Sequence, residues 1–316
     1  TLMAEKKKIA ILGAGTMGVG IAQMFAAAGH DVKLIYVYDD KTRSRPVETM
    51  TANLAILTEE GVLPQACMEQ VLSRVSFTES LEEAADFAQV IIECIVENLA
   101  VKQDYFQKLD QLCPPSTILT TNTSAISVTE IAEKSVHKER IIGTHFWNPA
   151  YLIPLVEVIN TKYADPAVLS EMCEVLKGAH KMPVVVKKDV PGFLANRMQH
   201  ALFREAISIV ENEIADPADV DNAIKYGFGM RLGVSGPMEV IDRGGTDLTY
   251  SIHKYLFPHI ESSTQPSRML TNLMEHGKLG FKSGEGFQPW SEERIKESNE
   301  NLTRGLITVT RALGRL

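Results

Sequence analysis

No stretch of the 316-residue chain holds the roughly 18 consecutive apolar residues that a membrane-spanning helix needs. Positive charge is not in excess either. Thirty-two Lys and Arg against 40 Asp and Glu leave a formal charge of −8, which excludes a strongly basic nucleic-acid binder and a polybasic membrane anchor. Cysteine is scarce: Cys67, Cys94, Cys113 and Cys173 stand far apart and form no C-x-x-C pair. That argues against a zinc centre or a disulfide scaffold and predicts a reducing, cytoplasmic setting. His253 and His259 bracket a proline without metal-ligand spacing, so they read as structural and no metal is expected. The Lys-rich start has no long apolar core behind it and predicts no signal peptide. There is no internal repeat and no low-complexity tract. What remains is 45% hydrophobic and 23% charged, the balance of a folded globular protein, with length for about two domains.

The first half alternates strand and helix signals. The short apolar run Lys8-Ile9-Ala10-Ile11-Leu12 ends in glycines, and a helical pattern with Met17, Ile21, Met24 and Phe25 near one face follows. A second strand is expected at 32–38, then two helices between 46 and 73 with a turn at Gly61 and Pro64. Further strands are expected at 90–95, 117–120, 141–146, 155–159 and 182–186, with a helix at 99–112. Ser80 with Glu83, and Ser127 with Glu130, are capping-box patterns. This order predicts a mainly parallel sheet covered on both faces. After Val186 the strand signal stops. Leu194, Met198, Ala201, Leu202, Ala206, Val210 and Ile214 recur at helical spacing, and Asp216-Pro217 opens another helix. The expected architecture is therefore a Rossmann-type doubly wound α/β domain over 1–188, followed by an all-α domain over 189–316. Its last part, 291–316, is a charged helix candidate.

Gly13-Ala14-Gly15-Thr16-Met17-Gly18 is G-x-G-x-x-G between a strand and a helix, the context in which the motif holds a dinucleotide. The first glycine permits a tight turn, the second lets backbone approach a pyrophosphate, and the third lets helix and strand pack closely. Thr16 and Met17 open the helix, whose free N–H groups face the phosphates. An acid about 20 residues on should hold the adenosine ribose, and Asp39 and Asp40 stand there. They favour NAD, with Asp39 the leading candidate; Lys41, Arg43 and Arg45 follow at once and could instead receive the 2′-phosphate of NADP.

Among eight histidines, His145 lies at the C-terminal end of a predicted strand, in Gly143-Thr144-His145-Phe146-Trp147-Asn148-Pro149. Open parallel sheets bind ligands beyond such ends. Glu157, in Pro154-Leu155-Val156-Glu157-Val158, is a carboxylate flanked by apolar strand residues and needs a buried partner. A His–Glu pair would satisfy it and orient the imidazole. Ser124 ends another strand. Read from the residues alone, His145 is equally a satisfied strand-end histidine and Glu157 a surface charge.

Taken together with Val96-Glu97-Asn98-Leu99 and Lys102, Asn122-Thr123-Ser124, Pro191-Gly192-Phe193 with Asn196-Arg197, and the closing stretch Lys278-Leu279-Gly280-Phe281-Lys282-Ser283-Gly284-Glu285-Gly286-Phe287, these motifs resemble those of the L-3-hydroxyacyl-CoA dehydrogenases along nearly the whole chain. The resemblance implies that His145 takes the proton from a substrate 3-hydroxyl while C3 gives a hydride to NAD. It implies that Glu157 orients His145, that Ser124 and Asn148 bond the oxygen at C3, that Glu97 and Lys102 lie near the nicotinamide and its ribose, and that Asn196 belongs to the substrate site. A homodimer through the helical domain is implied as well, and a short acyl-CoA such as 3-hydroxybutyryl-CoA is the expected substrate.

Two departures point to an alternative. In the family's acyl-CoA enzymes, lysines on the helical pair after the second strand meet the CoA phosphates. Here no Lys, Arg or His occurs between Arg45 and Arg74, while Glu48, Glu59, Glu60 and Glu69 do. The stretches Tyr151-Leu152-Ile153-Pro154, Gly227-Phe228-Gly229-Met230-Arg231 and Gly236-Pro237-Met238-Glu239 are similar to the branch holding L-gulonate 3-dehydrogenase, lambda-crystallin and carnitine dehydrogenase. That branch acts on free hydroxy acids, and Arg231 could then clamp a carboxylate through its guanidinium fork; read alone it is equally a structural salt bridge. A non-catalytic NAD-binding protein would be expected to have lost members of the site, yet His145, Glu157, Ser124 and Asn148 are all present.

Overall fold

The computed structural model describes residues 6–37 and 45–316. The chain divides into two compact units, Thr1–Leu194 with Arg304–Leu316, and Ala195–Thr303. In the first unit, β1 (Lys8–Leu12), β2 (Asp31–Ile35), β3 (Val75–Thr78), β4 (Val90–Glu93), β5 (Ile118–Thr121), β6 (Ile141–Phe146), β7 (Leu155–Ile159) and β8 (Met182–Val186) form one sheet. Its order is β3-β2-β1-β4-β5-β6-β7-β8. The helices of this unit are α1 (Thr16–Ala27), α2 (Arg45–Glu59), α3 (Cys67–Ser73), α4 (Leu81–Phe87), α5 (Leu99–Leu112), α6 (Val128–Ile131) and α7 (Pro166–Gly178).

The first six strands run parallel, and β7 turns back antiparallel to β6 and carries β8 parallel to itself. Parallel strands covered on both faces read as continuous apolar runs, and alternate residues sort to opposite sides. Ile9 and Ile11 of β1, with Val90 and Ile92 of β4, join one core with α1, α2, α3 and α7. Ala10, Leu12 and Ile91 join the other, with α4, α5 and α6. The helix starts expected from sequence are real: the Ser80 and Ser127 hydroxyls accept the Glu83 and Glu130 N–H groups. Asn98 caps α5 through the Val101 N–H, and Asp165 with Pro166 starts α7. Strand β3 is an element that sequence reading missed, since Val75-Ser76-Phe77-Thr78 is too short to show a period. Strand β2 ends at Ile35, short of the expected 38. Asp39, Asp40, Lys41 and Arg43 lie outside the described residues.

The second unit holds α8 (Ala195–Glu211), α9 (Pro217–Lys225), α10 (Phe228–Leu232), α11 (Pro237–Gly244), α12 (Thr246–Leu256) and α13 (Arg268–Glu275). Asp216 is the N-cap residue of α9 with proline after it, though its side chain makes no cap hydrogen bond. The long α14 (Glu292–Ala312) opens in this unit, while its last turns belong to the first. There Ile307 is fully buried in the first unit's core, and Arg304 pairs with Glu59 and Glu60 at the end of α2. Arg311 donates to the Glu60 carbonyl. Two of the acids noted after β2 are thus already paired within the chain. The division at Leu194 falls after the expected break at 188/189. Residues up to Leu194 still bond into the first unit: Asp189 accepts from Ser127 and Thr129, and the Leu194 N–H donates to Glu157. No helix among the described residues is long and apolar enough to cross a membrane.

Candidate active site

The sheet order reverses between β1 and β4, which opens a crevice at their C-terminal ends. The glycine loop sits there. Gly13 has φ +108°, a left-handed value that favours glycine, and a Cβ on it would lie 2.7 Å from the Cys94 carbonyl oxygen. A Cβ on Gly18 would lie 1.9 Å from the Gly13 oxygen, so α1 can approach the loop this closely only with glycine at that position. Gly15, by contrast, faces open space, and as the N-cap of α1 it carries no side chain to occupy the first N–H groups. Exposed Gly15 and Thr16 and half-buried Met17 therefore surround free donors at the positive end of a 12-residue helix. This cradle fits a pyrophosphate.

Leu12, Glu93, Thr121 and Gly143 stand in register across β1, β4, β5 and β6. Just beyond them the ends of β5 and β6 supply the remaining polar groups. Glu93 is fully buried and accepts from the Lys102 ammonium at 2.6 Å, the Thr121 hydroxyl at 2.6 Å and the Ile95 N–H at 2.7 Å. Lys102 also lies 3.3 Å from Glu97. Burial raises the Glu97 carboxyl, but the Thr123 hydroxyl, the Lys102 charge and the Ala125 N–H outweigh it, and the net shift is downward. The other Glu97 oxygen, Oε1, takes the Thr123 hydroxyl at 2.5 Å and the N–H groups of Ser124 and Ala125 at 3.1 Å each. Glu97 thereby fixes the backbone that presents Ser124.

His145 and Glu157 are directly opposed across the antiparallel β6–β7 pair. The His145 Nδ1 lies 2.7 Å from Glu157 Oε2, with both side chains buried. A carboxylate only accepts, so Nδ1 carries the hydrogen, and in the neutral ring Nε2 offers its lone pair. That Nε2 is 3.0 Å from the Ser124 hydroxyl. Glu157 is held further by the Trp147 indole N–H at 3.3 Å and the Leu194 N–H at 2.9 Å. The rings of Trp147 and Phe193 flank the imidazole at 5.6 and 5.7 Å. Phe193 reaches it from a tight turn in which Gly192 and Phe193 both have positive φ. Asn148 is exposed just past Trp147, and the Asn122 side-chain oxygen accepts the Phe146 N–H.

The structure thus brings Ser124, His145 and Glu157 into one hydrogen-bonded chain and joins Glu97 and Lys102 to it through the loop after β5. Half-buried Asn196, on α8, and exposed Arg231, on α10, belong to the second unit. Sequence reasoning missed Glu93, Thr123 and Trp147. Glu93 could have been found: like Glu157, it is a carboxylate flanked by apolar strand residues. No cluster of metal-ligating side chains occurs among the described residues.

A glycine loop whose open helix start fits a pyrophosphate, at the switch point and with an imidazole–carboxylate pair on the same sheet edge, is the arrangement of a dinucleotide-dependent dehydrogenase. The chain belongs to the 3-hydroxyacyl-CoA dehydrogenase family: the family's NAD-binding domain matches residues 8–190 and its C-terminal domain residues 192–290. It is an NAD-dependent dehydrogenase, with NAD as its cofactor. A 5-formyl-3-hydroxy-2-methylpyridine 4-carboxylate 5-dehydrogenase of Mesorhizobium japonicum is 33% identical over 308 residues, 97% of this chain and 98% of its own. A probable 3-hydroxybutyryl-CoA dehydrogenase of Bacillus subtilis is 35% identical over 290 residues, 92% of this chain and 99% of its own. Among solved structures, a 5-formyl-3-hydroxy-2-methylpyridine 4-carboxylic acid 5-dehydrogenase, an NAD+-dependent dismutase, is similar with a TM-score of 0.90 and 32% identity. That match covers 98% of this chain and 99% of the other.

Proposed function

We propose that the protein oxidises a hydroxyl-bearing carbon of a small free carboxylic acid, with His145 as the general base and Glu157 as its orienting partner. The observation that carries this reading is the likeness, at TM-score 0.90, to a dehydrogenase named for a free pyridine carboxylic acid. A match over 98% of the chain takes in most of 291–316, which lies beyond the family's C-terminal domain. The absence of Lys, Arg and His between Arg45 and Arg74 supports the same choice, because this helical pair supplies no cation of its own for a phosphate and the arginines that reach it, Arg304 and Arg311, are engaged by Glu59 and Glu60. These two features support the free acid over the short acyl-CoA expected from the family resemblance.

Bound NAD supplies the hydride acceptor. The His145 Nε2 removes the hydroxyl proton as the carbon gives up its hydride, and the C–O bond becomes a carbonyl. Glu157 holds the tautomer that leaves Nε2 basic and stabilises the charge that the ring acquires. Ser124 and Asn148 bond the substrate oxygen and align it with Nε2. An aldehyde enters the same chemistry as its hydrate and leaves as a carboxylate. Glu97 and Lys102 fix the loop that presents Ser124. Asn196 and Arg231 serve the substrate, the guanidinium of Arg231 as partner for its carboxylate.

NADH oxidation measured with acetoacetyl-CoA, free acetoacetate and a longer free β-keto acid tests this. Activity is expected with the free acids, and Arg231→Met is expected to raise their KM about 10-fold, the worth of one charge-assisted hydrogen bond. Turnover of acetoacetyl-CoA alone would return the assignment to the acyl-CoA enzymes.

The working form is a homodimer built on the second unit. No residue of its helices α8–α13 is buried. Large apolar side chains stand open on it, among them Tyr226 at 81% exposure, Tyr255 at 78% and Met238 at 69%. Exposed apolar side chains this large call for a partner, and the second copy implied by the family supplies a self-complementary one. Light scattering should give twice the chain mass at micromolar concentration, and a monomer at that concentration would refute the arrangement.

A further inference from the structure

Lys181 ends the turn between α7 and β8. Its side chain is buried, yet it is a lysine. The ammonium donates to the Ala150 carbonyl at 2.6 Å and the Ile153 carbonyl at 2.9 Å. The next residue's N–H, that of Met182, donates to the Pro154 carbonyl at 2.9 Å. All three acceptors belong to residues 147–154, the connection between β6 and β7. One end of that connection follows His145 and begins with Trp147 and Asn148; the other leads into Glu157. The connection also lies close against α1, where a Cβ on Gly20 would sit 3.4 Å from the Ala150 Cβ.

Beside Lys181 is a cavity of about 170 Å3. The other titratable side chains lining it are Tyr151, His180 and Arg315, and none is an acid. Helices α1 and α2 contribute Gln23 and apolar side chains such as Met24, Leu54 and Leu57. Burial pushes the Lys181 ammonium down to about 8. A methionine would fill the same space without placing a charge there. What the ammonium adds is a pair of strong, directed bonds to two carbonyls of one loop.

We propose that Lys181 is a positioning residue for the His145–Glu157 pair, acting by fixing the course of 147–154 and with it the seats of Trp147 and Asn148. The proposal rests on the reading of His145 as general base. Trp147 touches both members of the pair, so a shift of the loop reaches the base and its partner together.

The test compares the wild type with Lys181→Met, Lys181→Arg and His145→Gln in the oxidation direction. NADH affinity is measured in parallel. Lys181→Met is expected to lower kcat about 10-fold or more, since misplacement by about 1 Å is that costly, with NADH affinity unchanged. In the wild type kcat should fall as pH rises through about 8, because a neutral amine donates weaker bonds. Lys181→Met should lack that alkaline fall, and Lys181→Arg, charged throughout, should move it to higher pH. Full kcat in Lys181→Met beside an inactive His145→Gln would overturn the proposal alone. So would a lowered kcat that keeps the wild-type alkaline fall, since that is a merely structural effect. Activity retained in His145→Gln would instead overturn the general-base reading. Should Lys181→Met not fold, Lys181→Arg decides: an alkaline fall at the wild-type position would overturn the proposal.

Discussion

Replacing His145 with glutamine is expected to lower kcat by roughly 10²- to 10⁴-fold, the usual worth of a general base, while NAD(H) affinity stays within about twofold. The separation follows from geometry. His145 Nε2 faces the Ser124 hydroxyl, and its Nδ1 is taken by Glu157, whereas the pyrophosphate cradle is made by the backbone after β1. Glutamine keeps a polar amide near the same place but cannot accept the proton. Glu157→Gln should also lower kcat, because an amide can present either its oxygen or its NH2 to Nδ1 and no longer fixes the tautomer. Steady-state rates with fluorescence titration of NADH give both numbers. Near-full activity in His145→Gln would remove the imidazole from the chemistry.

The second large effect is one of stability. Glu93→Ala is expected to destabilise the protein by about 3 kcal/mol or more, the range for stranding one member of a buried ion pair. The Lys102 side chain is 1% exposed, so removal of Glu93 leaves its ammonium with Glu97 at 3.3 Å as its remaining carboxylate. The Thr121 hydroxyl and the Ile95 N–H lose their acceptor in the same step. For a domain of this size, that corresponds to a fall in Tm of roughly 6 °C or more. Glu93→Leu combined with Lys102→Met should recover most of the loss, since both charges then leave together. A single variant as stable as the wild type, or a double variant worse than Glu93→Ala, would show that the pair does not hold the ends of β4 and β5. Because Lys102 also touches Glu97, which fixes the Ser124 backbone, the single variant should lose kcat beyond its loss of stability.

Local chemistry makes much of this site legible in the sequence. The glycines at 13, 15 and 18 follow an apolar run and open a helical pattern, and the backbone uses them as that spacing requires: a left-handed turn at Gly13, open space at Gly15 and close packing at Gly18. His145 and Glu157 carry weaker signals, a strand-end histidine and a carboxylate among apolar neighbours. The cross-strand register of β6 and β7 makes them partners. Glu93 carries the same signal as Glu157, but its partner is hidden, because Lys102 reaches it only when the turn of chain between β4 and α5 folds back. Trp147 and Lys181 bear no local mark of their contacts, since each meets its partner across the β6–β7 connection or from the next strand.

The acids after β2 show the limit most clearly. In sequence, Glu59 and Glu60 are uncompensated negative charges facing any phosphate. In the structure they hold Arg304, more than 240 positions away. Composition, periodicity and turn residues determined the doubly wound sheet, the helical half and the cofactor loop, because each depends on neighbours within a few residues. Only the tertiary structure decided which charges are spent on one another, how α14 returns its last turns to the first unit, and which carbonyls Lys181 binds. Those contacts join segments whose spacing along the chain says nothing of their distance in space.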